Sequence, residues 1–67
     1  MSVAKIIEVK ASSPKSFEDA IKDGLARTSK TIKNIQSAWI SEQEVILNKD
    51  GSFNEYRVLM KVTFLVE

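Results

Sequence analysis

The sequence contains no cysteine and no histidine, and these two absences exclude several kinds of chemistry. Without cysteine the chain has no disulfide, no thiolate metal site and no thiol nucleophile. Without histidine it lacks the commonest transition-metal ligand and the usual general base. The chain also contains only two glycines, with no glycine-rich phosphate loop. The sequence therefore predicts a protein that is not an enzyme.

Neither sign of charge is in excess, and no apolar run is long. Ten basic and nine acidic residues leave a net charge of +1, whereas a nucleic-acid-binding protein has a strong basic excess. No apolar run approaches the roughly 20 residues that span a membrane, and residues 1–5 lack the features of a signal peptide. We therefore expect a cytoplasmic protein with neither nucleic acid nor membrane as a partner.

The length of 67 residues indicates one domain, residues 1–67. A chain this short buries only roughly 60% of its unfolded surface and is marginally stable alone. Small domains are usually stabilised by disulfides, metals or self-association. Because cysteine and histidine are absent and 43% of the residues are hydrophobic, the sequence predicts a homo-oligomer.

The first third of the chain changes from a strand pattern to a helix pattern. β-Branched residues dominate Val3–Lys10, which predicts a strand. Ser13 suits a helix N-cap and Pro14 the first helical position, so we expect a helix from Pro14 to about Lys33. Its apolar stripe has a spacing of three or four residues and comprises Phe17, Ala20, Ile21, Gly24, Leu25, Thr28 and Ile32. Gly24 within that stripe predicts a close approach of the helix to the sheet.

The rest of the chain predicts a long antiparallel hairpin. Residues 34–48 have a strand period whose apolar parity blurs near Val45–Leu47, where a bulge is expected. Asn48–Ser52 contains Asp-Gly, a strong hairpin signal, and Phe53–Val66 forms the last strand. Its even positions make an unbroken apolar face that we expect to pack on the helix: Tyr56, Val58, Met60, Val62, Phe64 and Val66.

These elements predict an α+β fold with the order βαββ, in which one helix covers one face of a three-stranded antiparallel sheet. The first strand is expected to pair with the end of the hairpin opposite its turn. Four apolar side chains are predicted on the other face: Ile35, Trp39, Leu59 and Leu65. Nothing in the chain remains to cover them, and a large exposed apolar patch indicates an interface or a binding site.

Several segments, in this order and spacing, resemble the dodecin family of small flavin-binding proteins. They are Ser12-Ser13-Pro14, Ser16-Phe17, Gly24-Leu25-Ala26-Arg27, Thr31-Ile32 and Tyr56–Phe64. The resemblance covers nearly the whole chain. It implies a βαββ subunit whose sheet wraps around its helix, assembly into a hollow homododecamer, and ligand sites between subunits.

The resemblance also identifies positions in a ligand site. The tryptophan that stacks on the flavin in this family falls on Ser37, and the glutamine that contacts the polar edge of the ring falls on Arg57. Basic residues that hold nucleotide phosphates in some members fall on Glu44 and Leu65. Some relatives without the flavin tryptophan are calcium-binding, and Arg57 resembles theirs.

Trp39 shares strand parity with Ser37 and has two interpretations. It could stack on a flat ligand such as FMN or riboflavin, with Arg57 and Gln43 as polar contacts. It could instead anchor a subunit interface, where tryptophan is enriched. In that case Arg57 would form a salt bridge with Glu42 or Glu44 of a neighbouring subunit.

Glu42 and Glu44 lie two residues apart and therefore on one side of their strand. Paired carboxylates could bind a hard cation, calcium or magnesium, or act as an acid/base pair. Two carboxylates are too few for a complete cation site, so other subunits would have to contribute. The sequence thus leaves three hypotheses: a flavin-binding or flavin-storing shell, a cation-binding shell, and a purely structural oligomer.

Overall fold

The computed structural model describes residues 2–66, which form four elements in the order βαββ. They are β1 (Val3–Ser13), α1 (Phe17–Thr28), β2 (Ile35–Leu47) and β3 (Phe53–Val66). The strands form one antiparallel sheet in the order β1-β3-β2. The predicted α+β class and element order are confirmed. β1 pairs with residues 56–66 of β3. Its pairing therefore extends along most of β3, whereas the sequence predicted pairing only with the end of the hairpin opposite the turn.

The core lies between α1 and the central strand β3. Val58, Met60 and Val62 have at most 1% exposure, and Ala20 of α1 is equally buried. The predicted even face of β3 therefore does pack on the helix. Half-buried apolar residues from β1, α1 and β2 surround this small core: Ile7, Val9, Ala11, Phe17, Ile21, Leu25, Ile35, Ala38 and Ile40.

The predicted helix start at Ser13 and Pro14 is wrong, because β1 continues to Ser13 and α1 begins at Phe17. Ser13 is instead the last residue of β1 and pairs with Tyr56 in the sheet. The N-cap is Ser16, whose hydroxyl accepts a hydrogen bond from the Asp19 backbone N–H at 2.9 Å. The buried Ser13 hydroxyl donates to Asp19 Oδ2 at 2.6 Å, which ties the helix start to the end of β1.

The helix also ends earlier than predicted, at Thr28 rather than about Lys33. Thr28 Oγ1 donates to the Gly24 carbonyl at 2.8 Å, and Ser29 Oγ donates to the Ala26 carbonyl at 2.8 Å. Such side-chain bonds compete with continuation of the helix. Lys33 therefore lies outside α1, and Arg27 is the basic residue of the last turn.

Gly24 is buried on the side of α1 that faces the sheet. A Cβ atom at this position would meet side-chain atoms of both Ala11 and Met60. The predicted close approach of helix and sheet is confirmed, and it places α1 directly on β1 and β3.

β2 is irregular at three points along its pairing with β3: Ile35/Ser37, Ile40/Glu42 and Ile46/Leu47. The third confirms the bulge expected near Val45–Leu47, and the sequence did not predict the other two. The first corrects the placement of Ile35, which pairs with Phe64 and packs against the core instead of lying on the uncovered face.

The predicted hairpin loop is confirmed. The Gly51 N–H donates to the Asn48 carbonyl at 2.9 Å, and the Asn48 N–H donates to the Ser52 carbonyl at 2.8 Å. Gly51 has φ of 87°, a conformation that glycine adopts readily. Asp50 Oδ1 accepts hydrogen bonds from the Ser52 hydroxyl at 2.6 Å and from its N–H at 2.9 Å. These bonds hold the pKa of Asp50 below its usual value.

Within residues 2–66, no helix has the length and apolar character needed to cross a membrane.

Candidate functional site

The candidate site lies on the sheet face opposite α1, here called the outer face. Directly opposed residues of an antiparallel pair project from the same side of the sheet, so the strand register assigns side chains to this face. Four rows cross it from β1 through β3 to β2: Ile6–Thr63–Ser37, Glu8–Lys61–Trp39, Lys10–Leu59–Glu42 and Ser12–Arg57–Glu44.

Trp39 is the most prominent side chain of the outer face. It is 67% exposed, the largest value among the exposed large hydrophobic residues of the described chain. The Nζ atom of Lys61, directly across the ladder, lies 5.3 Å from the centroid of the Trp39 ring. This distance permits a cation–π interaction. Ser37 pairs with Thr63, so it shares the outer face with Trp39, as the sequence predicted.

A bulge at Ser41 changes which residues accompany Trp39. Ile40 pairs with Met60 and Glu42 pairs with Leu59, which leaves Ser41 as the extra residue. The Ser41 hydroxyl donates to the Leu59 carbonyl at 3.0 Å. Beyond this point the strand parity is reversed.

The reversal corrects two sequence-based placements. Simple alternation put Gln43 on the Trp39 face and put Glu42 and Glu44 on the opposite face. In the structure Glu42 and Glu44 oppose Leu59 and Arg57 on the outer face, whereas Gln43 opposes the buried Val58. The two carboxylates therefore share a face with Trp39, and the pairing of Gln43 assigns it to the helix side.

A concavity of about 280 Å³ lies beside this bulge. It is lined by Lys10, Glu42, Gln43, Glu44, Arg57, Val58 and Leu59. The outer-face candidates Glu42, Glu44 and Arg57 therefore lie at one place, and Gln43 borders it although its pairing assigns its side chain to the helix side. The lining carries both signs of charge, which suits a ligand with polar or charged edges.

Arg57 is held by a neighbour that the sequence analysis missed. Its Nη2 atom lies 2.6 Å from Glu55 Oε1, in a pair whose side chains are 37% and 25% exposed respectively. Residues two apart on a strand project from the same face, and this spacing was the available signal. Within the chain, Glu55 is thus the carboxylate that engages Arg57, rather than Glu42 or Glu44.

No group of three or more histidine, cysteine, aspartate or glutamate side chains in residues 2–66 could hold a metal ion. Glu42 and Glu44 share a face, but a cation between them would need oxygen ligands from elsewhere. Such ligands would have to come from water or from another subunit, as the sequence analysis expected.

Comparison with known proteins gives a consistent result. The family model described as Dodecin matches residues 3–67. Among curated proteins, the calcium dodecin of Mycobacterium tuberculosis is 31% identical over 64 residues, which cover 96% of this chain and 89% of that protein.

Solved structures agree closely with the fold. The dodecin from Streptomyces davaonensis superposes with a TM-score of 0.91 at 29% identity, covering 98% of this chain and 96% of that one. A mutant of Thermus thermophilus dodecin gives a TM-score of 0.90 at 30% identity, covering 100% and 98% of the two chains. The M. tuberculosis calcium dodecin, described with a novel calcium-binding site, gives a TM-score of 0.85 at 29% identity, covering 98% and 93%.

Proposed function

The chain belongs to the dodecin family, and from this membership we propose that it is a small-molecule binding or storage protein of the cytoplasm. Its subunits assemble into a hollow homododecamer, and a flavin or a similar flat ligand binds between them. The observation that carries the proposal is Trp39, an aromatic ring 67% exposed on a sheet face that no helix or strand of residues 2–66 covers.

Assembly is supported by the small size of the core and by the apolar surface that remains outside it. Four apolar residues form the fully buried core, while Ile6 and Trp39 are both more than 60% exposed. Exposed apolar surface of this kind marks interaction sites. Dodecin family members form dodecamers, and packing of copies through the outer face would cover this surface.

Stacking on Trp39 is supported by its position as well as its exposure. Ser37, at the family's tryptophan position, lies two residues earlier on the same face, which is about 7 Å along the strand. Compared with a tryptophan at position 37, Trp39 places the stacking surface farther along β2. This brings it nearer to the concavity lined by Glu42, Glu44 and Arg57.

The proposal is tested by titrating riboflavin and FMN with the purified, assembled protein and following the quenching of flavin fluorescence. We expect quenching, and its loss in Trp39→Ala. Val3→Ala serves as a control because Val3 is also an exposed apolar residue of another strand, and its pairing with Val66 assigns it to the opposite face of the sheet from Trp39. Light scattering on each variant shows whether the assembly persists, and Trp39→Phe preserves a stacking ring if Trp39→Ala dissociates. Absence of quenching at tens of micromolar flavin would overturn the flavin proposal.

Cation binding is a second candidate, in which the shell has lost flavin binding. It is supported by the arrangement of Glu42 and Glu44 on one face and by the name of a 31% identical relative, calcium dodecin. Calorimetry with Ca²⁺ and Mg²⁺ tests it, with Glu42→Gln/Glu44→Gln against the exposed helix control Glu18→Gln. No heat from either cation would rule this candidate out. If neither flavin nor cation binds, a structural oligomer is the remaining function.

A further inference from the structure

We infer that Lys61 gives the Trp39 site a preference for flat aromatic ligands that carry negative charge, an inference that rests on the proposed function. Lys61 and Trp39 are directly opposed in the β3–β2 ladder. The ammonium of Lys61 lies 5.3 Å from the ring centroid. Any ligand that stacks on this ring therefore meets a positive charge at the stacking surface or at its edge.

The charge of Lys61 is not engaged by a carboxylate. Among residues 2–66, the salt bridges within 4.0 Å join Lys22 to Glu18, Arg27 to Asp23 and Arg57 to Glu55. Glu8 opposes Lys61 on β1 without forming such a pair. A negatively charged group on a ligand would thus meet an ammonium that has no competing carboxylate partner within the described chain.

Arg57, the other cation of β3 on this face, is poorly placed for the same role. Its guanidinium is held 2.6 Å from the Glu55 carboxylate. It also lies four residues from Lys61, about 13 Å along the strand. The two positions that carry phosphate-binding basic residues in some dodecins are Glu44 and Leu65 here, so neither supplies a positive charge.

The Lys61 side chain can contact a bound ligand while it remains beside Trp39. A ligand ring that covers Trp39 displaces the ammonium from the ring face, and the flexible lysine stem allows it to remain at the ring edge. There it meets an anionic substituent such as a phosphate monoester. The ligand class is therefore a planar aromatic molecule that bears a phosphate or another anionic group, either on its ring system or on a flexible chain that can fold back to the ring edge.

FMN and riboflavin provide a matched pair of probes because they differ only by the phosphate. We expect the wild-type protein to bind FMN about three- to tenfold more tightly than riboflavin in dilute buffer, as for a partly exposed charge interaction. The preference should fall as sodium chloride is added, because salt screens exposed charges. In Lys61→Met, which retains an apolar stem for the Trp39 ring, the affinities for the two flavins should become equal.

Further variants distinguish the effect of the Lys61 charge from other effects of the substitution. Lys61→Arg preserves the charge and should restore the FMN preference, whereas Lys30→Gln removes a lysine outside α1 and the sheet and should leave it unchanged. Lys61→Gln replaces Lys61→Met if the methionine variant does not assemble by light scattering. Equal binding of both flavins by the wild type, or an FMN preference that survives loss of the Lys61 charge, overturns the inference while the proposed function stands. Failure of both flavins to bind the wild type removes the proposed function itself.

Discussion

The position that a Cβ atom would take on Gly24 lies 2.8 Å from the Ala11 Cβ atom. Cβ atoms in proteins essentially never lie within 3.0 Å of a non-bonded heavy atom. The second neighbour, the Met60 Cε atom at 3.0 Å, is the end of a flexible side chain and can move. Ala11 is fixed to the backbone of β1, so its contact sets how closely α1 can lie on the sheet.

Gly24→Ala is therefore expected to destabilise the protein although it improves helix propensity. The propensity gain is about 1 kcal/mol, whereas overpacking of a tight contact costs about 1–3 kcal/mol. We expect a lower thermal midpoint at equal subunit concentration, a condition that matters for an oligomer. Ala11→Gly in the same chain should relieve part of the loss, and this coupling identifies the contact. A Gly24→Ala protein more stable than the wild type would contradict the packing argument.

Ser16, and not Ser13, caps α1, which predicts a specific pattern of stability changes. Ser16→Ala should cost about 1 kcal/mol of unfolding free energy, and Ser16→Gly only a few tenths, because glycine is tolerated at an N-cap. Ser12→Ala is the matched control, since Ser12 is exposed and lies before the cap. Denaturant unfolding at one subunit concentration measures all three. Equal losses for Ser16→Ala and Ser12→Ala would show that the cap does not contribute.

The lowered pKa of Asp50 predicts that the stability of the hairpin loop depends on pH. Its hydrogen bonds from the Ser52 hydroxyl and N–H lower its pKa below the ordinary value of 3.8. Because the folded pKa is depressed, the stabilisation is present above the unfolded value and is lost as the pH falls through the folded value. NMR titration of the Asp50 carboxyl carbon should give a midpoint below 3.8, and Ser52→Ala should raise it. A midpoint at or above 3.8 in the wild type would exclude these bonds in solution.

The sequence was sufficient to predict β3, the hairpin and the element order. Val58, Met60 and Val62 alternate without interruption, and a strict period of two leaves little ambiguity about the buried face. The Asp-Gly pair marked the turn directly. The helix ends were harder, because Ser13 and Ser16 are both suitable caps and only the pairing of Ser13 with Tyr56 distinguishes them.

The candidate site could be predicted by residue type but not by arrangement. The residues that follow the bulge at Ser41 are polar on both faces of the strand (Glu42, Gln43 and Glu44), so no apolar pattern marks the change of parity. Its consequence is that Glu42 and Glu44 join Trp39 while Gln43 does not. The Glu55–Arg57 pair was not predicted, because alternation places several charged residues on this face and does not by itself decide which of them pair.

The bulge at Ser41 decides which side chains of β2 lie on the outer face. With Ser41 in place, the residues that follow Ile40 present two carboxylates beside Trp39. The same residues paired with β3 without the bulge would present Ser41 and Gln43 beside Trp39 and turn both acids toward the helix. A strand that lacked Ser41 altogether would keep both acids on the outer face. The bulge, and not the residue types alone, thus decides whether this part of the outer face carries carboxylates or an amide. A shift of this one bulge along β2 would therefore change which functional groups lie beside Trp39 without changing any residue of the chain.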